Sequence, residues 1–450
     1  MEAPRGARGG AASSESRTES RGGGPRNEYR GEPARAPKVP RGDDGHGVQG
    51  MSAAKPAPPR PAAQPKAISA TGIQQFFAPS PRGLEALLAN ELRAIGAQDI
   101  RPTEGGVAFS GGWELVYAAN LHSRIASRIL WRIDERAYRS ESDLFRMAGR
   151  IDWPALFPVS RTIKVGVTAQ RSPLRSIEFA ALKIKDAICD VFRAATGERP
   201  SVDTLAPDVR IQLFLTDRTA TLYIDTSGEA LFKRGYRQQN VDAPLRENLA
   251  AGLLQLAGWH GDCALFDPMC GSGTFLIEAA SLAMRRAPGR DRRFAFERLA
   301  LFDEQAWQAV RQEARAYELP ALPHPIVGSD RDAVAVAATR ENLVAAGLAE
   351  HVELRTGDVL DAQAPAASGV LIANPPYGVR LEDQEALAEF YPRLGDALKR
   401  NFAGWRAYLF TADLRVPKLI RLSATRRLPL YNGALDCRLY EFKLVEGSNR

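Results

Sequence analysis

Cysteine and histidine are scarce: four Cys, at 189, 263, 270 and 437, and five His stand among 450 residues. They form no C-x-x-C pair and no zinc-type His spacing, which argues against a disulfide scaffold and a structural zinc site, so no metal is expected. Long apolar runs are missing as well, and nothing reaches the ~18 residues of a membrane span. The first residues lack the short apolar core of a secretory signal. A cytoplasmic protein in a reducing compartment, without a membrane partner, is the expectation. One-sided charge is also lacking from most of the chain. The formal net charge is +7, but residues 1–70 hold 12 Lys/Arg against 7 Asp/Glu, so the other 380 residues carry only +2. A polyanionic partner must therefore be argued from local patches and motifs.

Residues 1–70 contain 10 Pro and 11 Gly, while Leu, Ile, Val and Phe are represented only by Val39, Val48 and Ile68. Such a stretch cannot offset its ordering entropy by burial and is expected to be disordered. Seven acidic residues among its arginines speak against an organellar transit peptide. Its loss is expected to leave folding and the site of action unchanged. From near Ile73 the pattern changes. Helices are expected at 83–95, 113–120 and 177–192, the last with Ile177, Ala181, Ile184, Ile188, Val191 and Phe192 on one face. Strands are expected at 107–109, 127–133 and 162–167, and a hairpin at 209–215 and 220–225. This small α+β pattern closes near residue 228.

The second half alternates differently. Strands at 264–266, 325–328, 352–354, 370–373 and 407–411 are interleaved with helices at 243–257, from 274, at 332–346 and at 386–400. That alternation predicts a doubly wound, mainly parallel α/β sheet. An insertion at 285–322 should hold a helix at 303–317. Two last strands, at 426–431 and 438–445, are expected to pair antiparallel at the sheet edge.

Three constellations carry chemistry. The first is Asp267-Pro268-Met269-Cys270-Gly271-Ser272-Gly273-Thr274, between a strand and a helix. Its glycines let backbone pass close to a ligand at a strand's carboxyl end. It lacks the Gly-Lys-Ser/Thr of a phosphate loop and the Gly-x-Gly-x-x-Gly of a dinucleotide site, and a purely structural turn stays open as an alternative. Cys270 reads as a small packing residue rather than a nucleophile. Second, Asp330 and Asp358 end later strands, where a carboxylate can accept ribose hydroxyls or an adenine amine; helix capping is the simpler role of either alone. Third, Asn374-Pro375-Pro376-Tyr377 follows an apolar strand. The Asn side-chain oxygen and the Pro375 carbonyl can both accept from a planar exocyclic amine, and Tyr377 offers a face for a flipped base.

With these motifs the chain resembles the class I S-adenosylmethionine-dependent amino-methyltransferases. Arg234-Gly235-Tyr236-Arg237 and Ala243-Pro244-Leu245-Arg246-Glu247 resemble the segment leading into RNA methyltransferases that carry a THUMP domain. The likeness runs over about 73–445, including Asn432-Gly433-Ala434-Leu435-Asp436-Cys437, and is strongest to bacterial enzymes methylating N2 of a guanine in 23S rRNA. The resemblance implies a Rossmann-like methyltransferase domain at 229–450, a ferredoxin-like part at 73–112 and a THUMP RNA-binding domain at 113–228. It implies S-adenosylmethionine as cofactor, held by Asp267, Cys270, Gly271, Gly273, Thr274, Asp330 and Asp358. Asn374, Pro375, Pro376 and Tyr377 would serve the target base, in 23S rRNA or a precursor large ribosomal subunit. Some relatives are fused to a second methyltransferase domain with no counterpart in these residues, so its activity is expected to be absent. The 70-residue tail is also outside the family pattern.

Arg161, Lys164, Arg171, Arg175, Lys183 and Lys185 cluster in one stretch and are expected to face RNA phosphates, reading shape rather than base identity. Two rival readings stand beside guanine-N2 methylation. Adenine-N6 methylation of DNA or RNA uses nearly the same chemistry, though no groove-reading domain is legible. A non-catalytic rRNA-binding assembly factor would have no use for the Asn374 motif.

Overall fold

The computed structural model describes residues 72–237, 245–376 and 381–445, without the side chains of 381–384. The tail at 1–70 lies outside the described residues, as do Ala243, Pro244 and Tyr377. The first half runs β1 (Gln74–Pro79), α1 (Glu85–Ala94), β2 (Gln98–Thr103), β3 (Gly106–Gly111), α2 (Leu115–His122) and β4 (Leu130–Ala137). It continues with α3 (Glu141–Ala148), β5 (Ile163–Ala169), α4 (Ile177–Thr196), β6 (Val209–Leu215) and β7 (Thr219–Asp225). The second half holds α5 (Glu247–Leu256), β8 (Ala264–Asp267), α6 (Thr274–Ala283), α7 (Glu304–Ala316), β9 (Ile326–Asp330) and α8 (Ala333–Ala345). After these come β10 (Glu353–Thr356), β11 (Gly369–Ala373), α9 (Leu381–Asn401), β12 (Arg406–Thr411), α10 (Val416–Leu419), β13 (Arg426–Asn432) and β14 (Leu435–Lys443).

Period-two burial builds the first sheet. Val209, Ile211, Leu213 and Leu215 of β6 are buried and alternate with partly exposed residues, so one face of this strand is core and the other open. On the core side they join Ile184, Ile188 and Phe192 of α4. That helix starts where the Ser176 hydroxyl accepts from the Phe179 amide (3.2 Å) and stops at left-handed Gly197. The strands order β2-β3-β1-β4-β7-β6-β5, so the expected ferredoxin-like and THUMP parts share one seven-stranded sheet.

The second sheet orders β10-β9-β8-β11-β12-β14-β13. Its strands β8 to β12 are mutually parallel, and β14 runs antiparallel to β12 and to β13. The last two strands do pair with each other. This antiparallel pair closes one end of the sheet, as expected, with β14 against β12 and β13 outermost. Alternating apolar positions on both faces of β14 explain this, since Leu439, Tyr440 and Phe442 are all buried.

The halves are packed together closely. The Leu84 side chain sits against Gly252 of α5, where an added Cβ would stand 2.4 Å from Leu84 Cδ1. The Glu91 carboxylate accepts from Ser123 Oγ (2.8 Å), the Ile125 amide (3.2 Å) and Gln255 Nε2 of α5 (3.4 Å). Arg234 pairs with Glu278 of α6 at 3.2 Å, both side chains buried, and also donates to the Arg124 carbonyl at 2.7 Å.

Candidate functional site

Strand order reverses between β8 and β11, with β9 and β10 on one side and β12, β14 and β13 on the other. Parallel pairing brings the carboxyl ends of β8, β9, β10 and β11 to one edge, and the crevice outside such ends is where this architecture takes ligands. Asp267 ends β8, Asp330 ends β9, Asp358 follows β10 and Asn374 follows β11. The structure therefore assembles along one edge every described residue expected at the cofactor and the base. Asn374 is half-buried, Pro375 buried and Pro376 exposed; Tyr377 lies outside the described residues.

The Asp267 side chain is 1% exposed and accepts only from the Met269 amide, at 3.2 Å, with no cation beside it among the described residues. Burial, helped by the neighbouring Asp330 carboxylate, pushes its carboxyl up to about 8 against the pull of that one amide. A buried acid with this deficit suits a ligand that brings a positive charge. Asp330 is more solvated: its oxygens accept from the amides of Gly271 and Asp332, both at 3.0 Å. Asp358 accepts from the Leu360 amide at 3.0 Å and keeps further acceptor capacity.

The turn itself is braced from two sides. From α8, Thr339 donates to the Gly271 carbonyl (2.7 Å) and Asn342 to the Ser272 carbonyl (3.0 Å). From the preceding segment, Arg237 donates to Ser272 Oγ (3.0 Å) and Thr274 Oγ1 (3.2 Å) while pairing with Glu247 at 3.1 Å. Neither Thr339 nor Asn342 was legible as a loop brace, because each bonds a carbonyl 68 or 70 residues away in sequence. Gly273 adopts φ 79°, and a Cβ there would lie 2.7 Å from Thr339 Cγ2. A Cβ on Gly271 would meet nothing within 4 Å, so the crevice side of the turn is open to a ligand. Burial and the Asp267 carboxylate push the Cys270 thiol up, which keeps it protonated and leaves it a packing residue. These features fit S-adenosylmethionine: a cationic amino group for Asp267, close backbone approach at Gly271, and acceptors for hydroxyl and amine groups beyond.

The six basic residues expected at RNA do not share a surface. Lys164 lies on the open face of β5, whereas Lys183 and Lys185 lie on α4, which covers the opposite face. Arg161 pairs with Asp208 (3.9 Å), Lys185 pairs with Asp186 (2.6 Å), and the Lys183 ammonium stands 5.1 Å from the Phe179 ring centre. Arg171 and Arg175 are exposed in the connection between β5 and α4. Among the described residues no group of three or more His, Cys, Asp or Glu could hold a metal ion, and no helix is long and apolar enough to cross a membrane.

Comparison with known families matches residues 75–130 to the RlmL ferredoxin-like domain, 138–225 to the THUMP domain and 234–441 to the RMKL-like methyltransferase domain. The ribosomal RNA large subunit methyltransferase K/L of Syntrophotalea carbinolica is 41% identical over 384 residues, which are 83% of this chain but only 54% of that protein. This chain thus spans about half the length of that relative. The slr0064 protein of Synechocystis sp., whose name marks it provisionally as an RNA methyltransferase, is 38% identical over 84% of this chain and 98% of its own length. The crystal structure of SMU.472 complexed with SAH superposes with a TM-score of 0.76 at 33% identity, covering 82% of this chain and 98% of that one. Sheet order, strand-end carboxylates and these likenesses agree: the chain belongs to the family of RMKL-like methyltransferases that carry THUMP and RlmL ferredoxin-like domains.

Proposed function

We propose that this chain methylates the 2-amino group of a guanine in 23S rRNA, free or within a precursor large subunit, using S-adenosylmethionine. The observation that carries the reading is the shared edge of β8 and β11, where the Asp267–Thr274 turn meets Asn374-Pro375-Pro376. Relatives named for rRNA methylation supply the substrate class. In this reading 73–112 and 113–228 hold the RNA and 229–450 does the chemistry.

When bound, S-adenosylmethionine supplies a methyl group made electrophilic by its sulfonium. Asp267 takes the methionine ammonium, with Cys270, Gly271, Gly273 and Thr274 shaping the turn around that end. Asp330 accepts the ribose hydroxyls and Asp358 the adenine amine. The guanine amine is a poor nucleophile, because its lone pair is delocalised into the ring. Asn374 Oδ1 and the Pro375 carbonyl each accept one of its N–H bonds, and Tyr377 stacks on the base. Held this way, the nitrogen is drawn towards a pyramidal geometry with its lone pair facing the crevice. Orientation and electrostatics supply the rate, and the proton leaves to water.

Nucleoside mass spectrometry of 23S rRNA from cells with and without the gene tests this. N2-methylguanosine should disappear from one position on deletion. Loss of N6-methyladenosine instead would move the assignment to adenine. Unchanged nucleosides would favour the assembly-factor reading.

A further inference from the structure

The open face of the first sheet carries a cavity of about 970 Å³ that the catalytic chemistry does not use. Its floor follows from strand register. Phe77 on β1 stands opposite Leu130 on β4, Leu130 opposite Asp225 on β7, Asp225 opposite Arg210 on β6, and Arg210 opposite Lys164 on β5. With strands ~4.8 Å apart, this row extends for about 19 Å across the sheet. The next row brings Tyr223 beside Gln212, and the Tyr223 and Phe77 rings stand 6.3 Å apart, tilted by 44°. One end of the floor is therefore aromatic and the other cationic.

Of the four cations lining the cavity, two are spent within the protein. Arg128 is committed to Asp225, and Arg82 to Glu104 at 2.9 Å. The Arg210 guanidinium has no hydrogen-bond or ion-pair partner among the described residues, and its Nε is buried without one. Lys164 donates only to the Thr204 carbonyl, at 2.8 Å. Two cations thus remain beside two rings in a groove. Arg82 also lies over the Tyr431 ring of β13 (5.7 Å), so the groove's rim touches the catalytic half.

We infer that this sheet face binds an unpaired stretch of the RNA substrate, its bases stacked on Phe77 and Tyr223 and its phosphates held by Arg210 and Lys164. The assignment rests on the proposed function for the identity of the RNA. A duplex hides its base faces and gains nothing from the rings, whereas single strands use this combination of stacking surface and cationic track. It replaces recognition by helical shape, and it replaces the α4 lysines as the RNA-facing surface.

Fluorescence anisotropy with the full chain tests it, using a short labelled single-stranded oligoribonucleotide of mixed sequence and the blunt duplex of the same length. The single strand should bind at least about tenfold more tightly than the duplex. Lys164→Gln with Arg210→Gln should weaken it about tenfold or more and reduce the slope of log K against log salt by ~1.4, or ~0.7 for each phosphate no longer neutralised. Tyr223→Leu should cost on the order of tenfold with the slope unchanged, and Tyr223→Trp should restore binding. Calorimetric binding of S-adenosylhomocysteine shows that each variant is folded. Equal affinity for the duplex, variants that bind like the parent, or displacement by polyglutamate as readily as by RNA would overturn the assignment. Groove variants that leave single-strand affinity intact in a protein that does methylate guanine refute the groove alone. The expected binding pattern in a protein that methylates no guanine refutes the proposed reaction alone.

Discussion

Burial without a cation holds the Asp267 carboxyl at about 8, so in the protein alone it is largely protonated near neutrality. Unfolding returns it to ~3.9, and between those values the native state holds the extra proton. Stability therefore falls as pH rises through this window; the loss is absent below about pH 4 and complete above about pH 8. Asp267→Asn cannot ionise. Its Tm without ligand should match the parent near pH 4 and exceed it near pH 9, as thermal unfolding at the two pH values will read. Cofactor affinity runs the other way, because a cationic amino group needs the ionised acid. Titration calorimetry should show Kd falling by up to about tenfold per pH unit between about pH 6 and 8, then levelling, and Asp267→Asn should weaken binding throughout. The two results together would assign Asp267 to ligand binding rather than to folding. Asn374→Ala should leave Kd for the cofactor nearly unchanged and lower methyl transfer about a hundredfold, since an oriented acceptor acting in the transition state is worth on the order of 3 kcal/mol.

At the scale of elements, the turn between β8 and α6 depends on a backbone that only glycine tolerates. Gly273→Ala places a side chain in the left-handed region and drives its Cβ to 2.7 Å from Thr339 Cγ2. The expected loss is ~1–3 kcal/mol by urea unfolding, part of it recovered by Thr339→Ser, which deletes the clashing methyl. Local elements of this kind were legible. Val209–Leu215 alternates strictly, and α4 has its apolar face, its Ser176 cap and its Gly197 stop within one stretch of chain. What escaped has physical reasons. The strand β2 is nearly all exposed, contains Pro102 and has a register shift between Gln98 and Arg101, so it carries no apolar period and exists through pairing with β3. The short α3 offers only eight residues of period to read, and the Ser140–Asp143 capping box alone announces it. The site motifs were legible because each sits at one strand end. The braces Thr339 and Asn342 were not, since nothing local marks a helix residue that bonds a loop far away in sequence.

Over the whole molecule, long-range pairing decides what the sequence leaves open: β4 lies between β1 and β7 and joins two pieces into one sheet, and β14 slips in beside β12. The weld between the halves is polar as well as apolar. Arg234→Leu would leave Glu278 buried without its cation, and a loss of ~3–5 kcal/mol is expected by denaturant unfolding. Arg234→Leu with Glu278→Leu should recover much of it, because neither charge then remains to be satisfied. In the proposed reaction the amine taken up beside Asn374 is the 2-amino group of guanine. Its most direct test is methyl transfer to rRNA fragments that carry guanine or inosine at the mapped position, inosine lacking only that amine. Transfer to the guanine fragment and none to the inosine fragment is the predicted result; transfer to both at equal rates would contradict it.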